Sequence, residues 1–575
     1  MRLISLTANM PSFRSVNFNP EGLSLIVAKR RKPQDADSSK TYNGVGKSLL
    51  LDLVHFCLGA SKNDVYERKL PGWEFTLRFE VKGVAYVAQR RTSDQDTIVL
   101  DGEEIKVAKF CAQLEKEVFP FAEGVAYLTF RSLLTRFMRP AKESYTSFDT
   151  TYVKEKPYQR LINNAYLLGL ETSLITEKHR LREEQERIRK LRDNLDKDSV
   201  FQMFFTSGKN VDIDLKDLED KSKQLEADLQ AFRVAENYHE IHSEADALSK
   251  SIRELENRQF MLSSAIENIE KSMRLQPDIA PDLVAALYRE AQVALPEAVL
   301  KTLDEVRQFH EQLLTNRIKR LSAEKTALEG ELSSIDQELG AKGRDLDDKM
   351  KFLGSHGALE EFVAITNKLS DLRSKAQKIR AYKGLLEEYS NELQRLQVAL
   401  ANENLKTHTY LKDSETLLNS NLERFRSFSR RFYHDKPGGL IVKANDGENQ
   451  LRFEIDAAIE DDSSDGINEV KIFCFDQTIL TGRHNHFIRL LFHDSRLFGD
   501  IDPRQRATLF KVASETAREL RDQYIATINQ DQIEGMRSRF SPEEFDAIFN
   551  SKTIVLELTD QLPEEKLLGI QVDLR

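Results

Sequence analysis

Apolar and polar positions divide this chain into three zones. Through about residue 165 the apolar residues come in short runs or at every second position, separated by turn residues. Arg2 to Leu6, Leu23 to Ala28 and Ala85 to Gln89 read as strands, and Leu49 to Leu58 as a helix. Trp73, Phe75, Leu77, Phe79 and Val81 share one face of a further strand, because side chains alternate along extended backbone. From about 170 to 430 the period lengthens. Leu215, Leu218, Ser222, Leu225, Leu229 and Phe232 alternate spacings of three and four, and so do Ile241 to Ile269, Leu314 to Leu339 and Leu386 to Leu400. A repeat of 3.5 residues leaves a narrow seam that a second helix must cover, which predicts a coiled coil. From about 433 the globular pattern returns. Arg489 to Asp494 and Gln523 to Asn529 read as strands, with a helix over Leu509 to Leu520 between them.

The breaks in the middle zone organise it. Pro277, Pro281 and Pro296 fall within 276–300, where a helix cannot continue, so the chain is expected to reverse there. Gly354 to Gly357 interrupts the return, and a loop near Thr206 to Lys209 is its expected counterpart on the way out. The expected domains are 1–165, half of a globular head; 170–275, an outgoing arm; 276–300, an apex; 301–432, a returning arm; and 433–575, the other half of the head. About 100 helical residues would reach on the order of 150 Å before any folding back. An antiparallel hairpin brings both ends together, so one site can be assembled from both.

Composition narrows the class. With 84 Lys+Arg and 94 Asp+Glu the net charge is −10, and 31 % of residues are charged. That dense, balanced charge suits solvated helices and argues against a protein coated in positive charge, while leaving room for a local basic groove. A run of ~20 apolar residues is missing, as is a signal-peptide core, so a membrane span is not expected and a cytoplasmic location is. The three cysteines, Cys57, Cys111 and Cys474, are too scattered for a disulfide framework or a zinc site.

The sharpest chemical signal is Asn43-Gly44-Val45-Gly46-Lys47-Ser48, between an apolar strand and an apolar helix. In that setting backbone N–H groups point at phosphates at a helix N-terminus. Gly44 and Gly46 permit the tight turn around Val45, Lys47 reaches the β/γ-phosphates, and the Ser48 hydroxyl ligates Mg²⁺. Thr41 stands where the usual pattern has its first glycine, and a polar stretch beginning Lys29-Arg30-Arg31-Lys32 precedes the loop.

Asn43 to Gly59 resembles the phosphate loop and first helix of SMC-like ATPases, the superfamily of SMC, RecN and RecF proteins. The order of globular, coiled and globular zones is similar too. The resemblance implies an α/β ABC-type P-loop NTPase head assembled from both termini, with a long antiparallel coiled coil. It further implies ATP and Mg²⁺ as cofactors, bound between two heads. On that pattern Asp494, ending an apolar strand, is the Mg²⁺ carboxylate, and Asp500 and Asp502 form the loop that follows. The run Ile472 to Asp476 also ends in Asp, but choosing Asp476 would leave the later strand, loop and helix without a role. Ser463 to Glu469 then falls at the signature loop, with Gly466 its one glycine. Two positions depart from the superfamily. Ser495 stands where a glutamate base follows the aspartate, and Asn529 where a switch histidine stands. His493 is expected to point to the other side of its strand.

Phe473-Cys-Phe-Asp476, Phe492-His-Asp-Ser495, Asp502-Pro-Arg-Gln505 and Tyr524 to Asp531 resemble a bacterial subgroup of SMC-like ATPases described as a domain of unknown function and linked to ABC three-component systems. In that subgroup Ser495 and Asn529 are the normal residues. Arg90, Arg91, Arg131, Arg136 and Arg139 are expected at the surface, in salt bridges or facing a phosphate or DNA backbone. His310 is expected to be structural. The implied function is ATP binding with slow hydrolysis and dimerisation through ATP-bound heads, acting on DNA in repair, chromosome maintenance or defence. Two alternatives stay open: a non-hydrolysing ATP-gated switch that recruits effector proteins, and a coiled-coil scaffold with a vestigial site.

Overall fold

The computed structural model describes residues 1–30, 44–120, 125–152, 154–197, 210–231, 239–274, 303–353, 358–460 and 465–572. These fall in two compact units. One comprises Met1–Arg182 and Leu400–Arg575, the other the helices of Glu183–Val284 and Val306–Ala399.

In the first unit the N-terminal zone supplies β1 (Arg2–Ala8), β2 (Val16–Asn17), β3 (Gly22–Lys29), β4 (Glu74–Val81), β5 (Val84–Arg91), β6 (Thr97–Leu100) and β7 (Glu103–Lys106). The C-terminal zone supplies β8 (Gly438–Ala444), β9 (Phe453–Ile459), β10 (Leu490–His493), β11 (Gln523–Asn529) and β12 (Ile554–Thr559). An antiparallel sheet runs β2-β1-β4-β5-β6-β7. It buries Phe75, Leu77, Phe79 and Val81 of β4 on one face, as the alternation predicts. A second sheet runs β10-β11-β3-β12. Its neighbours are all parallel, with Gln523 to Asn529 of β11 in register with Gly22 to Ala28 of β3. Leu23 to Ala28 are all buried, as a central parallel strand covered on both faces requires. Three of its four strands come from the C-terminal zone and one from the N-terminal zone, so neither end of the chain can form this sheet alone.

The second unit is helical. Ion pairs link Lys349 to Glu244 at 2.7 Å, Arg258 to Glu331, and Lys325 to Glu270 at 2.7 Å. Numbers rise along His239–Arg274 while they fall along Leu303–Leu353, so these helices are antiparallel. Lys383–Asp212, Arg380–Glu219 and Arg373–Glu226 set the same sense for Ala358–Asp413 against Val211–Ala231. The pairs are largely exposed, so each contributes little. The seam holds the helices together: Ala245, Leu262, Ile266, Leu321, Ile335, Leu369 and Leu396 are buried. The expected apex at 276–300, the Gly354 to Gly357 break and the loop at Thr206 to Lys209 lie outside the described residues, as does the side chain of His310.

The arginines correct an expectation. Arg90, Arg131, Arg136 and Arg139 are neither at the surface nor free to meet DNA; all four are fully buried. Arg90 donates to the carbonyls of Phe56 and Ala60, each at 2.7 Å, and Arg136 pairs with Glu155. Arg131 donates to Nδ1 of His55 at 3.0 Å, which leaves Nε2–H of His55 to donate to the Met138 carbonyl at 2.9 Å. A guanidinium carries five donors in a rigid fork, and here those donors close loops whose carbonyls would otherwise be buried without partners. Of the group, Arg91 pairs at the surface, with Glu74 at 2.9 Å.

Candidate nucleotide-binding site

The glycine-rich turn lies beyond the carboxyl end of β3 and leads into the helix Lys47–Cys57. Gly44 and Gly46 have φ of +81° and +105°, backbone that side chains disfavour. Gly46 is also tightly covered: a Cβ there would lie 2.5 Å from Cβ of Leu567. Val45 is buried. Asn43 and Thr41 lie outside the described residues.

Side chains from both ends converge on this turn. Lys47 donates to Oδ1 of Asn529, the last residue of β11. Burial lowers its pKa from the ordinary lysine value to about 8, against the opposing pull of Asp494 and Asp531. The Ser48 hydroxyl donates to Oδ2 of Asp494 at 2.7 Å. The other Asp494 oxygen accepts from Oγ1 of Thr527 at 2.6 Å and from N of Ser495 at 2.6 Å. Its backbone N–H donates to the Tyr145 hydroxyl at 2.9 Å. Asp494 is fully buried, and its position one residue past β10 is as expected. Ser495 opens a short 3-10 turn, with its hydroxyl 3.2 Å from Oδ1 of Asp494.

The competing carboxylate has another task. Asp476 sits mid-way along the helix Asp465–Gly482, not at a strand end. It holds the Arg139 guanidinium in a fork, both contacts at 2.7 Å, and lies 3.1 Å from Nε2 of His493. Nδ1 of His493 meets the Tyr524 hydroxyl at 3.0 Å. Burial holds His493 below the ordinary histidine range despite the pull of Asp476. His493 does face away from the site, and this buried network fixes the strand that carries Asp494.

The remaining predicted residues form a separate group. Asp502 caps the helix Pro503–Glu519, accepting from N of Arg504 at 2.7 Å and N of Gln505 at 2.9 Å. Gly466 lies against Asp500, whose carbonyl would be 3.0 Å from a Cβ on the glycine. Ser463 and Ser464 lie outside the described residues. A cavity of about 560 Å³ opens over Gly44 to Ser48; Lys142, Ser495 and Arg496 line it, whereas Gly466, Asp500 and Asp502 do not.

Sequence reasoning missed Thr527, Tyr145, Arg496 and Lys142. Thr527 was within reach, since it lies two residues before Asn529 and so shares its face of β11. Tyr145 and Lys142 come from a segment whose path is set by the buried Arg139, and local pattern carries no trace of that.

A parallel sheet ordered β10-β11-β3-β12, a glycine-rich turn after β3, a carboxylate after β10 and antiparallel helices between the two halves of the sheet make the fold expected of an ABC-type head with coiled coil. The model of a family described as an uncharacterised protein conserved in bacteria (DUF2326) matches residues 428–572, in keeping with the bacterial subgroup the motifs resemble. The uncharacterized protein YydD of Bacillus subtilis is 21% identical over 565 residues, covering 90% of this chain and 91% of its own. Among solved structures, the Smc head domain with a coiled coil and joint from Pyrococcus yayanosii matches with TM-score 0.37 and 15% identity, covering 94% of this chain and 93% of that one. The Smc head with an extended coiled coil bound to the C-terminal domain of ScpA, from Pyrococcus furiosus, matches with TM-score 0.32 and 10% identity over 94% and 91%. At those scores the class rests on the sheet order and the phosphate loop. Among the described residues no helix is long and apolar enough to cross a membrane.

Proposed function

We propose that this chain binds ATP with Mg²⁺ at the Gly44 to Ser48 turn, hydrolyses it slowly, and dimerises through ATP-bound heads to act on DNA. The observation that carries the nucleotide assignment is the Ser48–Asp494 contact at 2.7 Å, a hydroxyl and a buried carboxylate held together beside a phosphate loop. These residues fit a magnesium nucleotide. Positive-φ glycines turn amides outward, Lys47 offers a cation, and Ser48 and Asp494 offer oxygen donors of the kind Mg²⁺ takes. The ion would offset charge between the phosphates.

Slow turnover follows from Ser495, which cannot act as a general base at neutral pH without activation. Asn529 positions but carries no charge. Dimerisation is supported by Gly466, Asp500 and Asp502 standing outside the cavity of their own head, at the positions that the resemblance assigns to the site of a second copy. DNA is the partner implied by the SMC-like class, with repair, chromosome maintenance or defence as the setting. The test is steady-state ATP hydrolysis with and without duplex DNA, beside Lys47→Ala. Turnover that DNA stimulates and Lys47→Ala abolishes supports the proposal; turnover equal to that control removes hydrolysis from it.

Ser495 also favours a second reading, an ATP-gated switch that recruits effector proteins without hydrolysis. ATP-dependent dimerisation without turnover, followed by light scattering, would select it. An absence of both would leave a coiled-coil scaffold with a vestigial site.

A further inference from the structure

The cavity over the phosphate loop has two chemically different walls. One is rich in backbone amides and cations, from Gly44 to Ser48 with Lys142 and Arg496, and Asp52, Asn63 and Tyr66 also line the cavity. The other comes from the segment after β12, where Lys566 is followed by the apolar Leu567, Leu568, Ile570 and Val572. This segment is fastened in place. N of Leu567 donates to the Val45 carbonyl at 3.0 Å, and its own carbonyl accepts from N of Arg14 at 2.9 Å. The Leu568 carbonyl accepts from Oγ of Ser12 at 2.9 Å. Gly569, at φ +67°, packs so closely on Ser12 that no side chain fits. These bonds occupy N and O of Leu567 and O of Leu568; both side chains are buried, while those of Ile570 and Val572 are half-buried.

Resting on the nucleotide assignment above, the geometry points to this segment as the wall that holds the nucleobase. A nucleoside triphosphate is anionic at one end and flat and apolar at the other, and the cavity has the same polarity. Its volume of about 560 Å³ lies within the range of roughly 300–1,000 Å³ usual for small-molecule sites. An apolar wall contributes through area removed from water. It touches the face of a base and not the hydrogen-bonding edge that separates adenine from guanine. Its apolar side chains therefore add affinity for nucleoside triphosphates as a class and add nothing for a bare polyphosphate.

The test is calorimetric binding of MgATP, MgGTP and magnesium tripolyphosphate to the full chain, to Ile570→Ser and to Val572→Ser. These two side chains are half-buried, unlike Leu567 and Leu568. Each variant should weaken MgATP and MgGTP by a similar factor, about three- to tenfold by the loss of apolar contact area, and leave tripolyphosphate unchanged. Unchanged MgATP affinity in both variants would overturn the assignment. So would an equal loss for tripolyphosphate, which would mean the segment acts on the phosphate loop. If the unaltered chain binds tripolyphosphate but gains nothing from a nucleoside, the wall fails and the phosphate site stands. If it binds none of the three, the nucleotide assignment itself fails.

Discussion

The Ser48 hydroxyl donates to Oδ2 of Asp494 at 2.7 Å across 446 positions of sequence. One residue stands at the start of the helix after β3, the other at the end of β10, and the parallel sheet between them is what sets the distance. The nucleotide chemistry proposed here depends on that pairing.

Removing the Lys47 cation or the Asp494 carboxylate should weaken binding while the fold remains. Lys47→Ala and Asp494→Asn are each expected to weaken MgATP by on the order of 100-fold, the scale of one or two charge-assisted hydrogen bonds. Calorimetry measures the loss, and an unchanged circular dichroism spectrum separates it from unfolding.

Gly46→Ala tests the turn itself. The substitution places a Cβ at φ +105° and 2.5 Å from Leu567. MgATP binding should vanish, and the unliganded protein should lose about 1–3 kcal/mol, the scale of a strained backbone position. Urea denaturation gives the second figure.

Lys47 makes binding depend on pH. Its pKa is lowered to about 8, and only the protonated form attracts phosphate. Affinity for MgATP should be steady below about pH 7 and fall as pH rises through 8, by up to about tenfold per unit. Stability of the unliganded protein moves the other way. The unfolded chain holds that proton up to lysine's ordinary range near 10.5, so between there and pH 8 folding gains as pH rises. Lys47→Met should flatten both profiles.

Ser495→Glu restores a carboxylate beside Asp494. If the missing base limits turnover, kcat should rise by on the order of 100-fold, the usual contribution of general-base catalysis, with nucleotide affinity little altered. Unchanged kcat in stopped-time phosphate release would show that another step is limiting.

Arg139 is a stability position and not a DNA contact. Arg139→Met leaves Asp476 buried without its main partner, and removes donors from the carbonyls of Ser144, Phe148 and Thr150. The expected cost is about 3–5 kcal/mol, as for other broken buried ion pairs. Urea denaturation would show it, and DNA binding by the folded fraction should be unaffected.

Much of the candidate site was legible because its parts are local. Gly44 to Ser48 reads as a phosphate loop through spacing alone, and β11 was read at its observed limits, Gln523 to Asn529, because Tyr524, Ile525, Ala526 and Ile528 make it largely apolar. Asp476 could be set aside on chain order alone, although the apolar run before it proved helical; a fully buried helix and a buried strand have the same composition over a few residues. The arginines defeated local reading altogether. Arg90, Arg131, Arg136 and Arg139 look like surface charge in any window of sequence, and only the carbonyls and carboxylates that surround them in space account for their burial.

The sequence by itself determined the helical arms and the glycine-rich turn between strand and helix, because periodicity and glycine spacing follow from backbone geometry and need no distant partner. A 3.5-residue repeat demands a second helix, and a glycine-rich turn between strand and helix presents amides. What only the tertiary structure decided were the contacts made across the chain: Lys47 with Asn529, Ser48 with Asp494, Arg139 with Asp476, and Leu567 against Gly46. Those pairings depend on strand register and on how buried charge is neutralised, and both are settled only when the two ends of the chain complete one sheet.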